Sequence, residues 1–202
     1  MIAIIDYGVG NLFSLNASFN MIGAKTVVTA DPETIMNASH VILPGVGAYE
    51  DAVRKLRESG LDKVICEYIK TGKPMMGICL GMQLLFEYSL EFGKHDGLSL
   101  LNGYVAPMKG VVPEDYKIPQ IGWNKLEFTN NSKLFKYISN GDYVYFVHSY
   151  YAVNCDESIT STTDYGAKIT ASVEKDNIYG CQFHPEKSGE VGLNILRAFC
   201  EI

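Results

Sequence analysis

The chain has 202 residues, 47% hydrophobic and 20% charged, a balance that excludes a disordered chain and suits a single α/β domain over 1–202. A net charge of −6 and a pI near 5.2, without any lysine or arginine run, exclude the basic face that nucleic acid or an anionic membrane would require. Five cysteines, an odd number with no Cys-x-x-Cys pair, argue against a disulfide framework or a zinc site; with no signal-like amino terminus, we expect a cytoplasmic protein.

Ile2 to Ile5 reads as a strand buried on both faces, the kind found inside a parallel sheet. It runs into Asp6-Tyr7-Gly8-Val9-Gly10-Asn11, where Asn11 can cap a helix carrying Leu12, Leu15, Phe19 and Ile22, with Gly23 as its stop. The Gly8-Val9-Gly10 turn matches only part of a dinucleotide fingerprint, since Phe13 stands where the third glycine would be. A tight turn at the carboxyl edge of the sheet is the stronger reading.

Lys25 to Thr29 is a second strand, and Asp31-Pro32-Glu33 opens a helix with a cap and a proline at its first position. His40 to Leu43 is a third strand leading into Pro44-Gly45-Val46-Gly47-Ala48, then a helix from about Tyr49 to Glu58 and another from Leu61 to Ile69, ended by Gly72. This alternation predicts a parallel sheet with right-handed crossovers.

Beyond Tyr104 the strands are shorter, at 104–108, 123–128, 143–147, 169–173 and 178–183, with a hairpin turn at Lys175-Asp176-Asn177. They extend the sheet with antiparallel strands or form a small second sheet, and a helix from Val191 to about Phe199 closes the chain. The expected fold is three-layer α/β: a mostly parallel central sheet, flanking helices and added antiparallel strands in the C-terminal half.

The chemistry centres on Met75-Met76-Gly77-Ile78-Cys79-Leu80-Gly81-Met82-Gln83. A short apolar strand passes directly into Leu80, Leu84 and Leu85 at helical spacing, and Cys79 sits on the corner. Gly77 and Gly81 give the shape of a nucleophile elbow with sulfur in place of a serine oxygen. A helix N-terminus favours thiolate over thiol, and the Leu80 N–H is placed to meet an oxyanion. The other reading of Cys79, a small core side chain, needs no partners; a nucleophile needs a base and an orienting group.

Of the four histidines, His40 and His95 read as structural or solvated, and His148 as a core residue or a site wall. His184 follows an apolar strand in His184-Pro185-Glu186-Lys187. The proline disfavours helix at His184, and in an extended stretch Glu186 projects to the same side and can hold the imidazole tautomer. Cys79, His184 and Glu186 then form a nucleophile, base and orienter suited to acyl transfer.

Gly77-Ile78-Cys79-Leu80-Gly81-Met82-Gln83, Pro44-Gly45-Val46-Gly47 and Phe183-His184-Pro185-Glu186 together resemble class I, triad-type glutamine amidotransferases. Asp6-Tyr7-Gly8-Val9-Gly10-Asn11, Ile121-Gly122-Trp123-Asn124 and His148-Ser149-Tyr150-Tyr151 narrow the resemblance to glutaminase subunits of imidazole glycerol phosphate synthases. The resemblance implies that Cys79 attacks the side-chain amide of glutamine to form a glutamyl thioester and release ammonia, with His184 moving the proton and Glu186 orienting it. It places the oxyanion hole on the N–H groups of Val46 and Leu80, and glutamine contacts on Gln83, Ser149 and Tyr150. It implies no metal or organic cofactor.

A (β/α)8-barrel cyclase is the implied heterodimer partner, using the ammonia to make imidazole glycerol phosphate and an aminoimidazole ribonucleotide in histidine biosynthesis. Asn11, Trp123, Tyr145 and Lys187 lie in stretches that resemble the docking and signalling surface. Gln120 departs from the family, which commonly has histidine before Ile-Gly-Trp-Asn. Two alternatives stay open: the same chemistry serving another acceptor, such as a surface-sugar amidation enzyme, and a non-catalytic nucleotide-binding module at the Gly8 turn.

Overall fold

A computed structural model describes residues 1–202. The first half alternates as its hydrophobic pattern predicts: β1 (Ile2–Ile5), α1 (Leu12–Met21), β2 (Thr26–Thr29), α2 (Pro32–Asn37), β3 (His40–Leu43), α3 (Tyr49–Glu58), α4 (Leu61–Lys70), β4 (Met75–Ile78) and α5 (Leu80–Gln83). The second half contains β5 (Tyr88–Ser89), β6 (His95–Asp96), β7 (Tyr104–Pro107), β8 (Gln120–Lys125), β9 (Glu127–Phe128), β10 (Tyr143–His148), β11 (Tyr150–Val153), β12 (Ile159–Asp164), β13 (Lys168–Lys175), β14 (Ile178–Cys181) and α6 (Gly189–Cys200).

The main sheet has the order β2-β1-β3-β4-β14-β13-β12-β9. Its first five strands are parallel and the last three are added antiparallel. The second half also builds two further sheets, β10-β8 and β11-β7-β5-β6, so both expectations for these strands are realised. Successive β1 residues face opposite cores. Ala3 and Ile5 pack with Ile35, Leu56 and Ile65 of α2, α3 and α4, while Ile2 and Ile4 pack with Phe19 of α1 and Phe199 of α6. Burial on both faces explains why these strands are continuously apolar. No helix is long and apolar enough to cross a membrane.

Strands β5, β6, β11 and β12 lie outside the expected set, and the helix after Cys79 is shorter than expected. β12 is Ile-Thr-Ser-Thr-Thr-Asp and lacks apolar alternation; the buried Thr160 and Ser161 hydroxyls both pair with Ser172 Oγ, Thr160 Oγ1 at 2.8 Å, which offsets the usual cost of burying them, while the buried Thr163 hydroxyl has no partner. The helix after Cys79 stops at Gln83 rather than continuing through Leu84 and Leu85. The carbonyls of Leu84 and Leu85 accept from the N–H groups of Leu98 and Leu100, both at 2.9 Å, so a neighbouring segment takes the bonds a longer helix would have used.

The topology itself builds the site. β14, late in the chain, inserts beside β4 with Cys181 opposite Ile78, and Cys79 N–H donates to the Cys181 carbonyl at 2.7 Å. The loops after β1, β3, β4 and β14 all leave the carboxyl edge of the parallel sheet, where open α/β sheets place their ligands.

Candidate active site

Cys79 has φ +56° and ψ −113°, a left-handed backbone that a side-chain-bearing residue adopts only at a cost of order 1–3 kcal/mol. That strain turns the chain from β4 into α5 at one residue. Close packing locks the turn. A Cβ on Gly77 would lie 2.7 Å from the Gly81 carbonyl oxygen, and one on Gly81 would collide with the Leu43 carbonyl oxygen. Gly45 packs equally tightly, since a Cβ there would stand 2.6 Å from the Gly81 nitrogen and 2.8 Å from Leu80 Cβ. The Pro44–Gly47 turn is thereby pressed against the start of α5, and Val46 and Leu80 line the same cavity. The Val46 N–H donates to no backbone or side-chain group of the protein.

His184 stands just beyond β14, its N–H donating to the Tyr145 carbonyl at 2.9 Å. Its Nδ1 lies 2.8 Å from Glu186 Oε1, with only 3% and 1% of the two side chains exposed. The expected contact is present, but its geometry differs from the extended stretch anticipated. Pro185–Lys187 form a turn of 3-10 helix, and Ser188 Oγ fixes it by donating to the His184 carbonyl at 2.6 Å. Burial alone would lower the imidazole pKa. The Cys79 sulfur and then the Glu186 carboxylate outweigh burial and bring it up to about 10. His184 Nε2 is buried and makes no hydrogen bond within the protein.

The other expected glutamine-site residues converge with this pair. Val46, Leu80, Gln83, Ser149 and Tyr150 line one cavity with Cys79 and His184, of about 390 Å³, a size suited to an amino acid. A larger depression of about 620 Å³ beside Thr129 and Lys136 brings together no nucleophile with a base. Gln83 does more than face the cavity: its amide nitrogen donates to the Tyr150 carbonyl at 3.0 Å and to Gln182 Oε1 at 2.9 Å.

Three cavity-facing residues complete this picture. Glu91 lines the cavity and accepts from the Tyr49 N–H at the start of α3 at 2.7 Å; it lies in a polar loop with no spacing that flags it. His148 is a wall of the cavity rather than only a core residue. Its Nδ1 lies 2.9 Å from the Tyr150 carbonyl and Nε2 has no partner; burial first, and His184 nearby, hold its pKa down to about 4. Lys187 also lines the cavity, with its ammonium over the Tyr145 ring.

Lys187, Tyr145 and half-exposed Trp123 form a continuous stack from cavity to surface, with Trp123 and Tyr145 edge to face at 6.1 Å between centroids. Asn11 caps α1 through Ser14 N–H at 3.4 Å, and no hydrogen bond or ring contact joins it to that stack. Gln120 is fully buried opposite His148, its Nε2 donating to Asn124 Oδ1 at 3.0 Å. In the Gly8 turn Gly8 itself is exposed, while its neighbours pack on the Pro44 turn: a Cβ on Gly10 would lie 3.0 Å from Pro44 Cβ, and Tyr7 Oη donates to the Pro44 carbonyl at 2.7 Å.

The model of the family described as glutamine amidotransferase class-I matches residues 3–201. Imidazole glycerol phosphate synthase subunit HisH of Geobacillus sp. (strain WCH70) is 46% identical over 205 residues, covering 100% of this chain and 97% of that protein. The same subunit of Caldanaerobacter subterraneus subsp. tengcongensis is 48% identical over 203 residues, covering 100% and 98%. Among solved structures, a glutamine amidotransferase superimposes with a TM-score of 0.77 at 15% identity, covering 100% of this chain and 98% of the other. PurLQS from Thermotoga maritima gives 0.73 at 20% identity, covering 99% and 97%. The chain therefore belongs to the class-I glutamine amidotransferases and, within them, to the HisH subunits of imidazole glycerol phosphate synthase.

Proposed function

We propose that this protein hydrolyses glutamine to glutamate and ammonia at Cys79 and passes the ammonia to a (β/α)8-barrel cyclase, its heterodimer partner in histidine biosynthesis. The observation that carries the reading is the buried His184–Glu186 pair set beside a strained, cavity-facing cysteine. The Cys79 thiolate attacks the side-chain carbonyl carbon, and the carbonyl electron pair moves to oxygen. The N–H groups of Val46 and Leu80 receive that oxyanion. Protonated His184 gives its proton to the amide nitrogen; the C–N bond breaks, ammonia leaves and a thioester remains. Water then attacks the thioester carbon, His184 taking its proton; the C–S bond breaks, glutamate leaves, and the thiolate and protonated His184 are restored. Glu186 holds the imidazole with Nε2 toward sulfur throughout.

Glutamine must bring an ammonium and a carboxylate into the cavity along with its amide. Glu91 is the carboxylate placed for the ammonium, and the Ser149–Tyr150 wall with Gln83 orients the rest. The Trp123–Tyr145–Lys187 stack links the cavity to the surface on which the cyclase docks, with Asn11 at a second point of contact. The test is glutamate release by the chain alone and with the barrel synthase and its nucleotide ligand. Stimulation that vanishes in Cys79→Ala supports the reading.

A further inference from the structure

Gln182 has no role so far, yet its side chain is fully buried against the reacting atom. Its Nε2 lies 3.7 Å from the Cys79 sulfur, and its Oε1 accepts from Gln83 Nε2 at 2.9 Å. The polarity of this chain of amides is forced from one end. The Tyr150 carbonyl can only accept, so Gln83 must turn its NH2 toward it. That NH2 also meets Gln182, which must then present its oxygen to Gln83 and its own NH2 to the sulfur. Flipping Gln182 alone would set two NH2 groups face to face. Flipping both would set the Gln83 oxygen against the Tyr150 carbonyl.

We propose that Gln182 is a catalytic residue that donates an N–H to the Cys79 thiolate, its polarity imposed by the Tyr150 carbonyl through Gln83. The inference rests on Cys79 being the nucleophile. A donor to an anion stabilises it over its neutral form, so Gln182 favours the reactive thiolate. The other titratable groups around the sulfur are His184, with Glu186 behind it, Tyr7 and Cys181. Tyr7 gives its hydroxyl proton to Pro44, and burial first holds both Tyr7 and Cys181 neutral. Gln182 and His184 are thus the side-chain donors that face the sulfur, and Gln182 is the one hydrogen-bonded to it. Tyr150 belongs to the cavity wall, so a displacement of that wall would free Gln83 and let Gln182 turn away; glutamine contacts and thiolate stability are coupled.

The pH dependence of Cys79 alkylation by iodoacetamide, read by mass on the peptide containing Cys79 in the full-length chain, tests this without relying on turnover. Gln182→Met keeps the bulk and removes the donor, and should raise the alkylation midpoint by about one pH unit. Gln182→Glu should raise it further by placing an anion near the sulfur. Gln83→Met, which never touches the sulfur, should raise it less. A purely structural role would lower thermal stability in these variants and leave the midpoint where it is. An unmoved midpoint in folded Gln182→Met and Gln182→Glu overturns the proposal. If alkylating wild-type Cys79 leaves glutamine hydrolysis intact, the nucleophile assignment itself fails, a separate outcome.

Discussion

Glu186 Oε1 and His184 Nδ1 are 2.8 Å apart in a setting almost closed to solvent, so the imidazole has one orientation and its Nε2 is left for the sulfur. Replacing Glu186 by glutamine keeps the shape and removes the charge that stabilises imidazolium. Glu186→Gln should lower kcat by about a hundredfold or more, less than loss of the nucleophile, with a smaller change in KM. Steady-state glutamate release checks this, and an unaltered kcat would contradict it.

The backbone at Cys79 gives a stability prediction separate from catalysis. Alanine at this position keeps the cost of positive φ, whereas glycine removes it. Cys79→Gly should be more stable than Cys79→Ala by about 1 kcal/mol in urea denaturation, with both variants inactive. Equal stabilities would show that the corner stores no strain.

Gly45 should be intolerant of even one methyl group. The added Cβ meets the Gly81 nitrogen and Leu80 Cβ, and relief of that clash moves Val46 away from Leu80. Gly45→Ala is expected to reduce kcat by about a hundredfold to a thousandfold, the usual effect of losing an oxyanion donor. Alkylation of Cys79 should continue in this variant, since it forms no oxyanion.

Glu91 is assigned to the ammonium of glutamine. Glu91→Gln retains an acceptor for the Tyr49 N–H and removes the charge, so KM should rise about tenfold or more while kcat changes less. A KM that stays constant across pH and in the variant would place the ammonium elsewhere.

Stability should fall on both sides of neutrality. The raised His184 pKa gives a contribution complete below about 6.5 and lost as pH rises through about 10. The depressed His148 pKa gives one complete above about 6.5 and lost as pH falls through about 4. Urea midpoints across this range should show both limbs. Cys79→Ala should flatten the alkaline limb and His148→Gln the acid one.

Much of this site could be read before the structure, because its elements obey local rules. A continuously apolar Ile2–Ile5 strand, capping by Asn11 and Asp31, and glycines around Cys79 each carry their meaning in a few residues. What stayed hidden depends on distant partners. The short α5 is ended by Leu98 and Leu100, and β12 is held by hydroxyl pairs to β13. Glu91 enters the cavity through a loop with no pattern of its own. Gln182 could have been noticed, since it lies two residues before His184 at a strand end and so projects to the same side; its polarity becomes visible only when Tyr150 is in place.

The measurement that bears most directly on the account is glutamate release by the wild-type chain with the barrel synthase and its nucleotide ligand, run beside Cys79→Ala. Strong stimulation of the wild type by that partner, and none in the variant, is the expected result. Equal glutamate release from wild type and Cys79→Ala would contradict the chemistry, and release indifferent to the barrel would contradict the partner.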